Sequence, residues 1–165
     1  MSTFNVSDLF PRNIPYAEPD LSGFVYVAAM LAPSGPVYKI GRSRDVSARI
    51  SQLDWMLPYR TITIFVMWAK DVVGQEAYLH RYFVEYGLRG EWFALPESAL
   101  EELHELAEIM RSDTPESELK HLCAMPLEAW RMHQEMDSAK RSGDVARIAE
   151  VHERLMRLIR AVPEP

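Results

Sequence analysis

Residues 35–53 run GPVYKIGRSRDVSARISQL, and the reading of this stretch decides the fold. Gly35 and Pro36 break the chain. Val37, Tyr38 and Ile40 favour a strand. Gly41 then lets the backbone turn, or come close to a ligand, where a side chain would prevent it. Asp45 stands where a helix N-cap belongs, and Val46, Ile50 and Leu53 recur behind it at helical spacing. Arg49 points away from that apolar stripe. Lys39, Arg42, Arg44 and Arg49 thus put four cations within eleven residues, on a strand end and the first turns of a helix. That arrangement suits an anion, and phosphate first.

Upstream, GFVYVAAML at 23–31 has the β-branched and aromatic content of a buried strand. The turn at 32–36 makes it the first arm of an antiparallel hairpin whose second arm is 37–41. Downstream, TITIFVMWA at 61–69 has strand propensity throughout and is expected to form a third, central strand. A helix is expected from about Gly74 to Tyr86, ended by Leu88-Arg89-Gly90, and then a short strand or extended segment at 91–95. Pro96 opens a further helix to about Arg111. Residues 115–161 are expected to be helical, with breaks at Pro126 and at Ser142-Gly143-Asp144, the last two pieces forming an αα-hairpin. The expected class is α+β: a small, mainly antiparallel three-stranded sheet flanked by helices, plus a C-terminal helical extension. The expected units are an irregular arm at 1–21, a main domain at 22–111 and the extension at 112–165. The stripe Val145, Ile148, Val151, Leu155, Leu158 and Ile159 suffices for a homodimer seam through the C-terminal helices or for packing on the core, and the pattern leaves both open.

The net charge of −6 is unevenly spread. Residues 21–60 hold five Lys or Arg against two Asp or Glu, whereas residues 97–165 hold nine against fifteen. The main domain is therefore basic where a phosphodiester would have to sit, and few phosphates could be neutralised at once, so salt-sensitive binding is expected. The single cysteine, Cys123, excludes an internal disulfide and any Cys-based zinc cluster, and is expected to be a structural thiol on a helical stretch. No run has the ~18 apolar residues of a membrane helix, and MSTFNVSDLF lacks the pattern of a secretory signal. The expected compartment is the cytoplasm, with no membrane contact. There is no H-E-x-x-H, G-x-S-x-G or Walker A run.

Val25-Tyr26, then Lys39-Ile40-Gly41, then Arg49 and Glu76 resemble the GIY-YIG nuclease family. The likeness is to its phage-associated branch, in which KIG replaces YIG and the domain closes with a Gly-Glu-Trp-Phe run, here Gly90 to Phe93. It covers about residues 22–95. It implies a metal-dependent endonuclease, a hydrolase acting on DNA phosphodiester bonds.

On the residues alone, Tyr26 is a core or sheet-face tyrosine and Lys39 a strand-end lysine; Arg49 is a solvated helix arginine. The resemblance implies more. Tyr26 becomes a general base near a metal-bound water. Lys39, in the slot usually held by a second tyrosine, favours a neighbouring phenolate or holds the phosphate. Arg49 becomes a clamp on the scissile phosphate. Glu76 and His80 form an E-x-x-x-H pair one turn apart on one helix face. The resemblance makes Glu76 the ligand of Mg2+ or Mn2+, and a single carboxylate suits an ion that keeps several waters. For His80, a phosphate or metal contact and a structural hydrogen bond stay open. Arg42 and Arg44 are assigned to the nucleic-acid backbone. The family's downstream Asn is absent, and Glu91 stands nearest to its slot. That departure, with KIG and the acidic net charge, keeps alive a catalytically degenerate nucleic-acid-binding or regulatory module of the same fold. A third reading is an interaction protein working through its C-terminal helices.

Overall fold

β1 (Gly23–Ala32) and β2 (Gly35–Ser43) form the antiparallel hairpin, with Tyr26 directly opposite Gly41 and Ala28 opposite Lys39. The computed structural model describes residues 19–122 and 125–161. The expected arm at 1–21 falls almost wholly outside the described residues, as does Cys123.

Asp45 caps α1 (Val46–Met56) by accepting a hydrogen bond from the Ala48 amide at 2.9 Å, as its position in the sequence predicts. β3 (Thr61–Ala69) pairs antiparallel with β1, with a register shift after Val27. α2 (Val72–Tyr82) begins two residues earlier than expected because Asp71 caps it, accepting from the Gly74 amide at 2.9 Å. It also ends earlier, and Val84–Tyr86 continues as one 3-10 turn. β4 (Trp92–Phe93) pairs with Tyr38 and Lys39 of β2.

The sheet therefore has four strands, in the order β3-β1-β2-β4, rather than the expected three. β1 and β2 are its inner strands. β3 lies at an edge, not in the centre; its apolar run is explained by cover on its faces, since Ile64, Phe65, Val66 and Met67 are all buried.

Period-two alternation sorts the hairpin onto two faces. Val25, Val27, Ala29, Tyr38 and Ile40 face one layer, with Leu79 and Phe83 of the α2 region and with Ala99, Leu100 and Leu103 of α3 (Glu97–Ser112). Phe24, Tyr26 and Ala28 face the other, with Val46 and Leu53 of α1. Lys39 and Gly41 alternate onto the α1 side, and Arg42 onto the α2 side.

The extension begins with α4 (Glu116–Leu119), a single turn, so the expected continuous helix from 115 is interrupted before Pro126. α5 (Leu127–Ser142) and α6 (Val145–Ala161) form the expected hairpin, with Gly143 at φ 71 providing the left-handed cap between them. Glu135 of α5 takes Arg147 and Arg154 of α6, the latter at 3.0 Å. Val151 is buried. α5 also joins the main core: Leu127 and Trp130 belong to the α2-side cluster, and Trp130 meets Tyr38 edge-on at 6.3 Å. Arg131 reaches Glu101 of α3 at 3.0 Å. Trp130 is 1% exposed. Trp130→Ala should therefore cost about 3–5 kcal/mol in urea unfolding. A loss below about 1 kcal/mol would mean that the extension is not part of the same cooperative unit. Among the described residues no helix is long and apolar enough to cross a membrane.

Candidate active site

β4 covers only two residues of β2, so the outer edge of β2 runs on past it from Ile40. There the two faces of the sheet meet. The Ile40 amide donates to the Glu91 carbonyl at 3.2 Å, and the Ile40 carbonyl accepts from Nε2 of His80 at 2.9 Å. A carbonyl only accepts, so this bond fixes the proton on Nε2. The His80 ring also stands edge-on to Phe93, with centroids 5.3 Å apart. His80 thus braces the strand edge.

Tyr26 is fully buried, yet its phenol reaches this edge because of Gly41. A Cβ on Gly41 would lie 2.6 Å from the Tyr26 hydroxyl oxygen and 2.7 Å from Cζ. The ring therefore crosses the inner strand over the bare Cα. Burial raises the Tyr26 pKa above its ordinary value. The Arg49 guanidinium, beside the hydroxyl, works in the opposite direction, while the Glu91 and Glu76 carboxylates add to the rise. All three charged groups thus act electrostatically on the phenol, Arg49 also by hydrogen bonding.

Lys39 lies 5% exposed, and its ammonium is bound by the Glu91 carboxylate and stands 5.8 Å from the centre of the Trp92 ring. A buried ammonium needs such partners. Burial works to raise the Glu91 carboxyl, but bonding to Lys39, with His80 and Arg49 nearby, holds it below its usual range. The cation beside the phenol is therefore Arg49, and Lys39 reaches Glu91 instead. Arg49 also donates to Gln52 at 3.2 Å.

Glu76 comes from α2 with only 6% of its surface exposed. Its carboxylate accepts from the Arg42 guanidinium, which is itself 46% exposed. Arg44 turns elsewhere, to the Asp20 carbonyl and carboxylate, the latter at 3.5 Å, and stays on the surface. Tyr26, Lys39, Arg49, Glu76, His80 and Arg42 thus gather at one strand edge, and Arg44 flanks it. The sequence pattern carries no signal for the Arg42–Glu76 pair, whose members are 34 residues apart. Glu91 could be suspected from its place in the Gly-Glu-Trp-Phe run, but its bond to Lys39 could not.

As a metal-binding set the site is sparse. Among the described residues no three His, Cys, Asp or Glu side chains converge. That does not make a zinc-type cage. It fits a hard cation held through one carboxylate, with water and substrate oxygens completing its shell. Glu76 already has a positive partner in Arg42, which a metal ion at this carboxylate would have to displace.

A small antiparallel sheet thus carries a tyrosine, an arginine and a buried carboxylate at one edge. The T5orf172 domain matches residues 23–111, more than half of the chain, and the chain belongs to that phage-associated, nuclease-like family. The match opens at the first residue of β1 and closes within the last turn of α3, so it takes in the whole sheet and every residue of the site. No curated protein and no solved structure matches the chain significantly.

Proposed function

We propose that the chain is a GIY-YIG-like, metal-dependent endonuclease that hydrolyses DNA phosphodiester bonds. The observation that carries this reading is the Tyr26 phenol laid over Gly41 beside Arg49, with the Glu91 and Glu76 carboxylates near enough to raise its pKa. Glu76 would hold Mg2+ or Mn2+, and the ion would stabilise charge on the phosphate and on the departing sugar oxygen. Tyr26, as phenolate, takes a proton from the attacking water. The water oxygen bonds to phosphorus, and the bond from phosphorus to the sugar oxygen breaks. Arg49 holds the phenol and binds the phosphate, where its fork pairs with two oxygens. Lys39 neutralises Glu91 and keeps that carboxylate from repelling the substrate. His80 fixes the strand edge through Ile40. Arg42 and Arg44 meet the flanking phosphates.

The test is cleavage of supercoiled plasmid with Mg2+ or Mn2+ across the neutral pH range. Because burial raises the Tyr26 pKa, the phenolate is the minor form at neutral pH. Its population, and the rate with it, should rise about tenfold per pH unit until the raised pKa is reached. Tyr26→Phe should lower the rate about a hundredfold or more and remove that slope. Cleavage that is unaffected by Tyr26→Phe at every pH would exclude this base. A second reading, a binding module of the same fold, is favoured by the resting ion pairs Arg42–Glu76 and Lys39–Glu91, which leave both carboxylates neutralised. Salt-sensitive DNA binding with no cleavage by the wild type would select it.

A further inference from the structure

α1 carries Arg49 at the site and continues almost two turns to Met56. Its last turn ends in two side chains with no cover: Trp55 is 92% exposed and Met56 77%. Tyr59, 40% exposed, and an exposed Arg60 follow before β3. Single apolar residues on a surface are ordinary. A tryptophan, a methionine and a tyrosine grouped at one helix end form a patch that calls for an occupant.

The surrounding charge indicates which occupant. From Arg44 to Arg60 the chain carries three arginines, of which Arg44 pairs with Asp20, and two acids, Asp45 and Asp54. Both acids are turned onto backbone: Asp45 accepts from the Ala48 amide at 2.9 Å, and Asp54 from the Thr61 amide at 2.6 Å. The exposed Arg60 follows Tyr59 directly, and the patch shares its helix with Arg49, about 120° around the axis from Trp55. Flat aromatic side chains beside arginines are what unstacked bases bind, because each base offers a face to stack and a phosphate to pair.

We infer that Trp55, with Met56 and Tyr59 beside it, is a stacking platform for an unpaired nucleic-acid base on the substrate strand. The inference rests on the nuclease reading and names its substrate class: DNA with an unpaired stretch next to the cut. Six residues of helix separate Arg49 from Trp55, about 9 Å along the axis. That span corresponds to about two or three nucleotides at the rise of a stacked strand. Trp55 is also turned about 120° around the axis from Arg49, so the unpaired base lies at least that far from the phosphate held there.

The test titrates the full chain, at low salt and without divalent metal, with a labelled continuous duplex and with the same duplex carrying an unpaired stretch. A fluorescent base analogue sits at the unpaired position. The wild type should bind the second DNA more tightly and change the analogue's emission. Trp55→Ala should weaken binding of the second DNA about tenfold and leave the emission unchanged, with little effect on the continuous duplex. Trp55→Phe should keep most of the affinity. Far-ultraviolet circular dichroism and melting temperature should be the same in all three, since the side chain is on the surface. Equal binding of both DNAs by Trp55→Ala and wild type would overturn the platform and leave the nuclease reading standing. No binding of either DNA by the wild type would overturn both. Loss of self-association in Trp55→Ala, with DNA binding intact, would give the patch to a second copy of the chain and also overturn the inference.

Discussion

Gly41→Ala is expected to abolish cleavage and to destabilise the protein by about 2 kcal/mol, as for an overpacked core. The added methyl would stand 2.6 Å from the Tyr26 hydroxyl oxygen, 2.7 Å from Cζ and 3.2 Å from Cε1. Real carbon atoms do not approach so closely, so either the ring or the strand must move. The ring has little room to retreat. Tyr26 is fully buried, with Phe24, Ala28, Val46 and Leu53 in its cluster and Val66 opposite it on β3. The strand cannot move freely either, because Gly41 is paired with Tyr26 through the hairpin ladder. Shortening the tyrosine should relieve the clash. In a Tyr26→Ala background, Gly41→Ala should cost less than about 0.5 kcal/mol, a coupling that only residues in contact show. Urea unfolding of the four proteins in this cycle measures the coupling. Equal costs in both backgrounds would show that the phenol does not lie over Gly41, and the geometry of the site would fall with it.

This contact also marks the limit of what the sequence could disclose. The hairpin, the Asp45 cap and the helix behind it were legible because each is set by neighbours within a few residues. The C-terminal hairpin was legible for the same reason, through Pro126 and a glycine that adopts the left-handed conformation. β4 was legible only as a short strand or extended segment at 91–95; its place in the sheet was not, because a strand of two residues has no period of its own and joins the sheet only through its partners Tyr38 and Lys39. β3 was legible as a strand, but not in its position. An apolar run reports burial of both faces, and here an edge strand receives it from α1 on one side and α3 on the other. The likeness to known nucleases picked out Tyr26, Arg49 and Glu76 one at a time. It could not say that residues from opposite sheet faces meet at the open edge of β2, since that depends on how far β4 extends. Nor could it place Arg42 on Glu76, a pair that spans two elements.

That pair leads to the second large effect. Glu76 is buried, and a buried carboxylate left alone is costly. Arg42 supplies the opposing charge from a half-exposed position on the free strand edge. If Glu76 is the metal ligand, guanidinium and Mg2+ are alternative partners for one carboxylate, and the ion must displace Arg42. The released guanidinium is then free for the substrate phosphate. Arg42→Ala should therefore destabilise the protein in EDTA by about 1–2 kcal/mol, less than a fully buried pair because the arginine is half in solvent. Mg2+ should restore that loss, since an ion that binds only the folded state stabilises it by mass action. In the wild type the same Mg2+ should raise the melting temperature less, because Arg42 must be displaced first. Calorimetric titration with Mn2+ should give tighter binding to Arg42→Ala than to wild type, and about a hundredfold weaker binding or none to Glu76→Ala. Cleavage should nonetheless fall in Arg42→Ala, through the lost phosphate contact, and vanish in Glu76→Ala. If Mg2+ leaves the melting temperature of Arg42→Ala where EDTA put it, Glu76 holds no metal and the ion pair is structural. The binding module would then be the better account of the fold.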